Sequence, residues 1–275
     1  MKEYLFNKAN ALICFSKRFV SEYLDNSINQ SSAQLSYYFL FSLFPFLMAF
    51  SALAVLNANE ATYFVELVPD VINDMIADFL HHVNTQNNAA FFSSGLLLFL
   101  YAMARYINCT KRKLREIFNT KREHGIYVEW SLSLIYSIFL FTGLVLTFGL
   151  QAVGGEIVAY FSDHLFFIPS VFIILWPILR FGLIGVYVFL LLFFLYKTIP
   201  NEKRKNTDIS KGAVFSTISW IVISVAFSFY IDNISNYSAV YGSISAFIVL
   251  MLWLFIVNNI ILSGAIVTKI LSYDV

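Results

Sequence analysis

Residues 90–122, AFFSSGLLLFLYAMARYINCTKRKLREIFNTKR, decide the fold. An apolar run ends in Arg105, Lys111, Arg112, Lys113, Arg115, Lys121 and Arg122, and a second apolar run, residues 128–152, follows with no Lys or Arg. Working outward, the same alternation covers the chain. Of 18 Lys and Arg residues, all but Arg180 fall within or beside four segments. The first holds Lys2, Lys8, Lys17 and Arg18, and the second is the stretch above. The third holds Lys197, Lys203, Arg204, Lys205 and Lys211, and the fourth Lys269. The intervening polar stretches carry Glu60, Glu66, Asp70, Asp74, Asp78, Glu156, Asp163 and Asp232, but no Lys or Arg. Basic residues are retained on the cytoplasmic side when a chain inserts into a bilayer, so this pattern reads as repeated membrane crossing.

Composition agrees. Hydrophobic residues make up 59% of the 275 positions, Phe alone supplies 30, and charged residues are 13%, about half the usual share. A water-soluble domain of this length cannot bury that much apolar surface, so lipid must cover it. The net charge of +1 says little beside its distribution. Cys14 and Cys109 both fall on the side assigned to the cytoplasm, where a structural disulfide is not expected, and they lack the spacing of a zinc or redox pair.

A helix needs about 20 apolar residues to cross the hydrocarbon core. Six segments qualify: 33–57, 90–110, 128–152, 178–198, 210–231 and 243–267. Six spans with both termini inside satisfy every loop. The chain is therefore expected to be an all-α polytopic protein, a single membrane domain over 1–275, multi-pass in a bacterial inner membrane. Two amphipathic interfacial helices are expected beside the spans. Residues 3–27 place Leu5, Leu12, Phe19 and Tyr23 at helical spacing among Lys8, Lys17 and Arg18, the pattern of a surface helix. In the first outer loop, residues 69–83 start at Pro69 and set Val71, Ile72, Met75, Ile76 and Phe79 against Asp70, Asp74 and Asp78. The stretch 165–176, between the third and fourth spans, reads as a surface or re-entrant piece, with the fourth helix extending outward past Arg180.

A polar group inside a bilayer needs a reason. Arg180 is either a contact for an anionic substrate or lipid phosphate, or an interfacial anchor tied to Glu156, Asp163 or Asp232. Asn258 and Asn259 in the sixth span, and Gln34 at the start of the first, are further candidates for substrate or lipid contact. Asparagine in a span also serves as glue between helices. Adjacent asparagines cannot share one helix face, so at least one is expected to face the bundle interior. Pro45 lies mid-span, where it frees a carbonyl. Glu129 opens the third span. His81 and His82 beside Asp78 lack the convergent partners that a metal site requires, so no metal, cofactor or catalytic residue is assigned. The basic loops suit anionic lipid head groups, and positive-inside topology accounts for them without nucleic acid.

Ala33-Gln34-Leu35-Ser36-Tyr37-Tyr38 running into Leu43-Phe44-Pro45 resembles the first span of the YihY/BrkB family of bacterial inner-membrane proteins. So do Leu179-Arg180, Tyr196-Lys197-Thr198-Ile199-Pro200-Asn201, Lys211-Gly212-Ala213, Phe229-Tyr230, Tyr237-Ser238-Ala239-Val240-Tyr241-Gly242-Ser243, Leu252-Trp253-Leu254 and Gly264-Ala265. The resemblance covers roughly residues 30–270 and implies six helices in the inner membrane. It also implies that Pro45, Pro200, Tyr237, Tyr241, Gly242 and Gly264 are motif positions of structural weight. Family members commonly carry an acidic residue after the final Gly-Ala; here it is Ile266, which weakens any mechanism based on a carboxylate there.

Three functions follow. The first is a transporter-like or lipid- or solute-handling protein, motivated by Arg180, Asn258 and Asn259. The second is a non-transporting scaffold. The third, a ribonuclease acting on tRNA as an older label of the family has it, is least favoured, because His124, Glu116, Glu123, Glu202 and Asp208 do not resemble a metal cluster.

Overall fold

The computed structural model describes residues 2–56, 88–120, 125–152, 169–198, 205–233 and 244–273. They form seven α-helices: α1 Lys2–Asp25, α2 Ile28–Leu56, α3 Asn88–Phe118, α4 Ile126–Ala152, α5 Pro169–Thr198, α6 Asn206–Asn233 and α7 Ile244–Tyr273. The helix expected over 69–83, together with Pro200, Tyr237, Tyr241 and Gly242, lies outside the described residues.

The backbone explains the breaks. α1 gives way to α2 at Asn26 and Ser27, where the Asn26 side-chain amide donates to the Glu22 carbonyl at 2.7 Å and Ser27 takes a left-handed φ of 48°. α3 ends at Asn119, also left-handed at φ 54°. There the Thr120 N–H donates to the Arg115 carbonyl at 2.9 Å and the Asn119 N–H to that of Glu116 at 3.1 Å. That pair of bonds is the Schellman arrangement, which satisfies carbonyls that a helix end would otherwise leave open.

Neighbouring helices run in alternate directions. The order of contact is α4, α3, α2, α7, α6, α5, with α5 returning to touch α4 and α1 resting on α7. Short connections join α1 to α2, α3 to α4 and α5 to α6, and Lys269 near the end of α7 meets Glu22 of α1 at 2.6 Å. The start of α2, the end of α3, the start of α4, the end of α5, the start of α6 and the end of α7 therefore share one end of the bundle. The described basic segments lie toward it, so it is called the basic end below.

Five helices contain stretches long and apolar enough to cross a membrane: Ile28–Ala49, Tyr127–Val145, Phe181–Thr198, Asn206–Tyr230 and Phe247–Ser272. Their outward faces carry Phe41, Val186, Val222, Val225 and Phe229, all well exposed, which water would penalise and lipid does not. This is a helical membrane protein. Six such spans were expected; these five are found among the described residues, and α3 is not among them. Its 31 residues reach about 46 Å, but its later turns carry Arg105, Asn108 and the run Lys111–Arg115.

Two further readings change. Residues 111–118, expected as part of a basic loop, continue α3, because Leu114, Ile117 and Phe118 are completely buried and hold the helix against the bundle. The surface or re-entrant piece at 165–176 is helical from Pro169 onward, and α5 runs unbroken past Arg180 to Thr198. Proline fits a first helical turn because that N–H would have no intrahelical partner. In the middle of α2, Pro45 is accommodated within a continuous helix, although it supplies no N–H to the carbonyl four residues earlier.

The tightest crossing is between α6 and α7. A Cβ on Gly264 would lie 1.8 Å from Ser216 Oγ and 2.9 Å from the Gly212 carbonyl oxygen, and one on Gly212 would lie 1.9 Å from Thr268 Oγ1. Gly212 and Ser216 on one helix and Gly264 and Thr268 on the other form two small-residue pairs at four-residue spacing, which let membrane helices approach backbone to backbone. That approach brings the hydroxyl of Tyr196, a fully buried side chain of α5, to the Ile261 carbonyl of α7 at 2.5 Å. Ser216 Oγ donates to the Ile260 carbonyl at 3.2 Å. Gly264→Ala is expected to push α6 from α7 at a cost of about 1–3 kcal/mol. In detergent melts this variant should unfold at a lower temperature than wild type, whereas Gly182→Ala, with nothing within 4 Å, should not. Equal melting of Gly264→Ala and wild type would contradict the close crossing.

Candidate functional site

The polar residues of the bundle form three groups toward the basic end. In the first, Asn258 of α7 accepts a hydrogen bond from the Tyr106 hydroxyl of α3 at 2.8 Å. Its amide donates to Ser36 Oγ of α2 at 3.3 Å and to the Leu254 carbonyl at 2.9 Å. Asn258 is 1% exposed, so it ties three helices and presents nothing to a cavity. Asn259 points to a different partner: its Oδ1 accepts from Tyr23 of α1 at 2.7 Å, while its amide donates to the Phe255 carbonyl at 3.0 Å. The adjacent asparagines thus face different neighbours, one the bundle interior and the other the docked α1. Gln34 is exposed on α2. Gly264 lies at the α6–α7 crossing described above. The side chain of Arg180 lies outside the described residues.

The second group is ionic. Glu129, in the first turn of α4, is 4% exposed. Lys111 of α3, 2% exposed, reaches its Oε2 at 2.8 Å and donates to its backbone carbonyl at 2.7 Å. Arg115, one turn further along α3, pairs with Oε1. Ser133 completes the joint by donating to Asn108 Oδ1 at 2.7 Å. A buried carboxylate between two cations fastens the basic extension of α3 to the start of α4.

The third feature is a cleft of about 620 Å³ beside that joint, lined by Tyr38, Arg105, Asn108, Cys109, Arg112, Arg115, Glu116, Thr120, Glu129 and Trp130. One stripe of α3 makes its long wall, because positions 105, 108, 112 and 115 recur every three or four residues and share a helix face. The volume lies in the range of small-molecule sites. Its charges are not equivalent. Glu129 is taken by Lys111 and Arg115, and Glu116 by Lys113 at 3.1 Å. Arg105 and Arg112 are exposed and meet no carboxylate among the described residues. Arg105 lies over the Tyr101 ring at 5.9 Å, and Arg112 contacts Cys109 Sγ at 3.6 Å. Thr120 Oγ1 is buried without a hydrogen-bond partner among the described residues. Also among the described residues, no group of three or more His, Cys, Asp or Glu side chains could hold a metal ion.

Sequence reasoning assigned the basic residues of α3 to topology and left them out of any site. A signal existed in Glu129. A carboxylate at the start of an apolar run, with no Lys or Arg on its own helix, must find its cation on a neighbour.

The chain belongs to the family described as virulence factor BrkB, whose model matches residues 19–275. It is 28% identical over 261 residues to a ribonuclease-like protein, YfkH, of Bacillus subtilis, covering 94% of each chain. It is 25% identical over 266 residues to a UPF0761 membrane protein of Alteromonas mediterranea, covering 90% of this chain and 84% of that one. With a UPF0761 membrane protein of Haemophilus influenzae the identity is 22% over 259 residues, covering 91% and 92%. No solved structure matches the chain.

The ion cluster yields a stability test. Glu129→Ala strands Lys111 in the bundle, a change that costs about 3–5 kcal/mol for a buried pair. Lys211→Ala removes an exposed lysine whose contact to the buried Asp208 is long, at 3.5 Å, and should cost about 1 kcal/mol, less than loss of the buried joint. Chemical denaturation in micelles should separate the two variants; a Glu129→Ala protein as stable as Lys211→Ala would refute the joint.

Proposed function

We propose, with membership of this family as the premise, that the protein is a non-enzymatic, transporter-like membrane protein that handles lipids or anionic solutes from the cytoplasmic side of a bacterial inner membrane. One observation carries this reading. At the basic end an open cleft of about 620 Å³ presents Arg105 and Arg112 without a carboxylate partner among the described residues, while Asn258, Tyr106 and Ser36 between α2, α3 and α7 hold helices together. Uncompensated guanidinium groups in a cleft are binding groups for anions.

In this reading the basic end is cytoplasmic, both termini lie there, and α3 makes the sixth crossing. The alternation of helix direction supports that count, since removing α3 would put the start of α4 on the wrong side. The ribonuclease reading gains nothing from the residues once considered for it. Glu116 is paired with Lys113, Asp208 with Lys211, and His124, Glu123 and Glu202 lie outside the described residues.

Two measurements test the proposal. Cys14 is exposed and Cys109 buried, so a membrane-impermeant maleimide should label Cys14 in inverted inner-membrane vesicles and not in intact cells. Labelling from outside would reverse the orientation. Proteoliposomes should then move a fluorescent anionic phospholipid, or an anionic solute, across the bilayer faster than protein-free liposomes. Equal rates for both classes would remove the transport reading.

A further inference from the structure

We infer that the cleft between α3 and α4 is a phosphate-binding site, with Arg105 and Arg112 as its clamp and the Thr120 hydroxyl as a third donor. The inference rests on the functional reading above and names the chemistry that its site would recognise.

Arg105 and Arg112 are seven residues apart on one face of α3, about 10 Å along the helix. Each arginine side chain spans several ångströms, so both forks can close on one phosphate group between them or hold two phosphates of one ligand. A guanidinium fork matches the paired oxygens of a phosphate. Among the described residues neither arginine pairs with a carboxylate, and the two that line the cleft, Glu129 and Glu116, are paired with Lys111, Arg115 and Lys113. Thr120 Oγ1, buried and unpartnered among the described residues, lines the same cleft and can donate to an oxyanion.

The remaining wall points to where that phosphate sits. Tyr38 and Trp130 line the cleft beside the arginines, and Trp130 keeps 37% of its surface exposed. Tyrosine and tryptophan settle at the level of lipid head groups. A cleft lined by both aromatic rings and guanidinium groups suits the phosphate of an anionic head group. The same groups also accept free phosphate from water.

The test uses the full chain purified in a neutral detergent. It is titrated with phosphatidylglycerol, with phosphatidylcholine and with inorganic phosphate, and bound ligand is read by native mass spectrometry. The wild type should retain phosphatidylglycerol in preference to phosphatidylcholine, and inorganic phosphate should compete. Arg105→Ala with Arg112→Ala should weaken retention roughly thirtyfold, from the contribution of each cation near an anionic group. Lys17→Ala with Lys205→Ala, equal in charge removed but outside the cleft, should leave it unchanged. Binding of inorganic phosphate without a lipid preference, lost in the arginine variant, supports the site with a soluble source. Retention that survives the arginine changes, or falls equally with the lysine changes, overturns the site in favour of diffuse surface charge. The single variants Arg105→Gln and Arg112→Gln, each expected to bind more weakly, keep the test readable if the double variant does not fold. Intact binding without transbilayer movement would sink the transport reading and leave the site standing; movement with no arginine-dependent binding would do the reverse.

Discussion

The carboxylate of Glu129, held between Lys111 and Arg115, is the contact on which the arrangement of the basic end depends. Each of these charges would be costly alone in a low-dielectric bundle. Together they let α3 continue as a helix beyond its apolar half and carry cations while packed against α4. That rigid extension is also what places Arg105 and Arg112 on a fixed wall. The joint and the buried Leu114, Ile117 and Phe118 together keep residues 111–118 helical beside the cleft.

The other constraint is the lipid itself. Helices in a bilayer gain little from hydrophobic contact with one another, so close packing and hydrogen bonds hold them together. Several of those devices among the described residues lie toward the basic half. Asn258 links α2, α3 and α7, Tyr196 and Ser216 join α5 and α6 to α7, and Gly212 and Gly264 allow the approach. The outward faces are left to Phe, Leu and Val in contact with lipid.

Much of this was legible in the residues. The alternation of basic clusters with apolar runs showed a helical membrane protein, and Gly264, singled out through the family resemblance, lies at the α6–α7 crossing. Pro169 lies inside the stretch read as a surface or re-entrant piece, yet it begins α5, because a proline suits a first helical turn. The reading of 111–118 as part of a loop was wrong for a physical reason: charge density resembles solvation until each charge is matched with its partner. Glu129 lies 14 positions from Arg115 and Tyr106 lies 152 from Asn258, and no local pattern reports such pairings. Arg105 and Arg112 looked like topology signals for the same reason. Only the neighbours that neutralise Lys111, Lys113 and Arg115 reveal that, among the described residues of this stretch, Arg105 and Arg112 remain.

The claim at the centre of this account is that the basic stretch of α3 is a packed helix anchored to Glu129. Amide hydrogen exchange on the full chain in lipid nanodiscs measures it most directly. Residues 108–117 should exchange slowly in the wild type, as in the apolar half of α3, and quickly in Glu129→Ala. Fast exchange of this stretch in the wild type, at the rate of a solvated loop, would contradict the account.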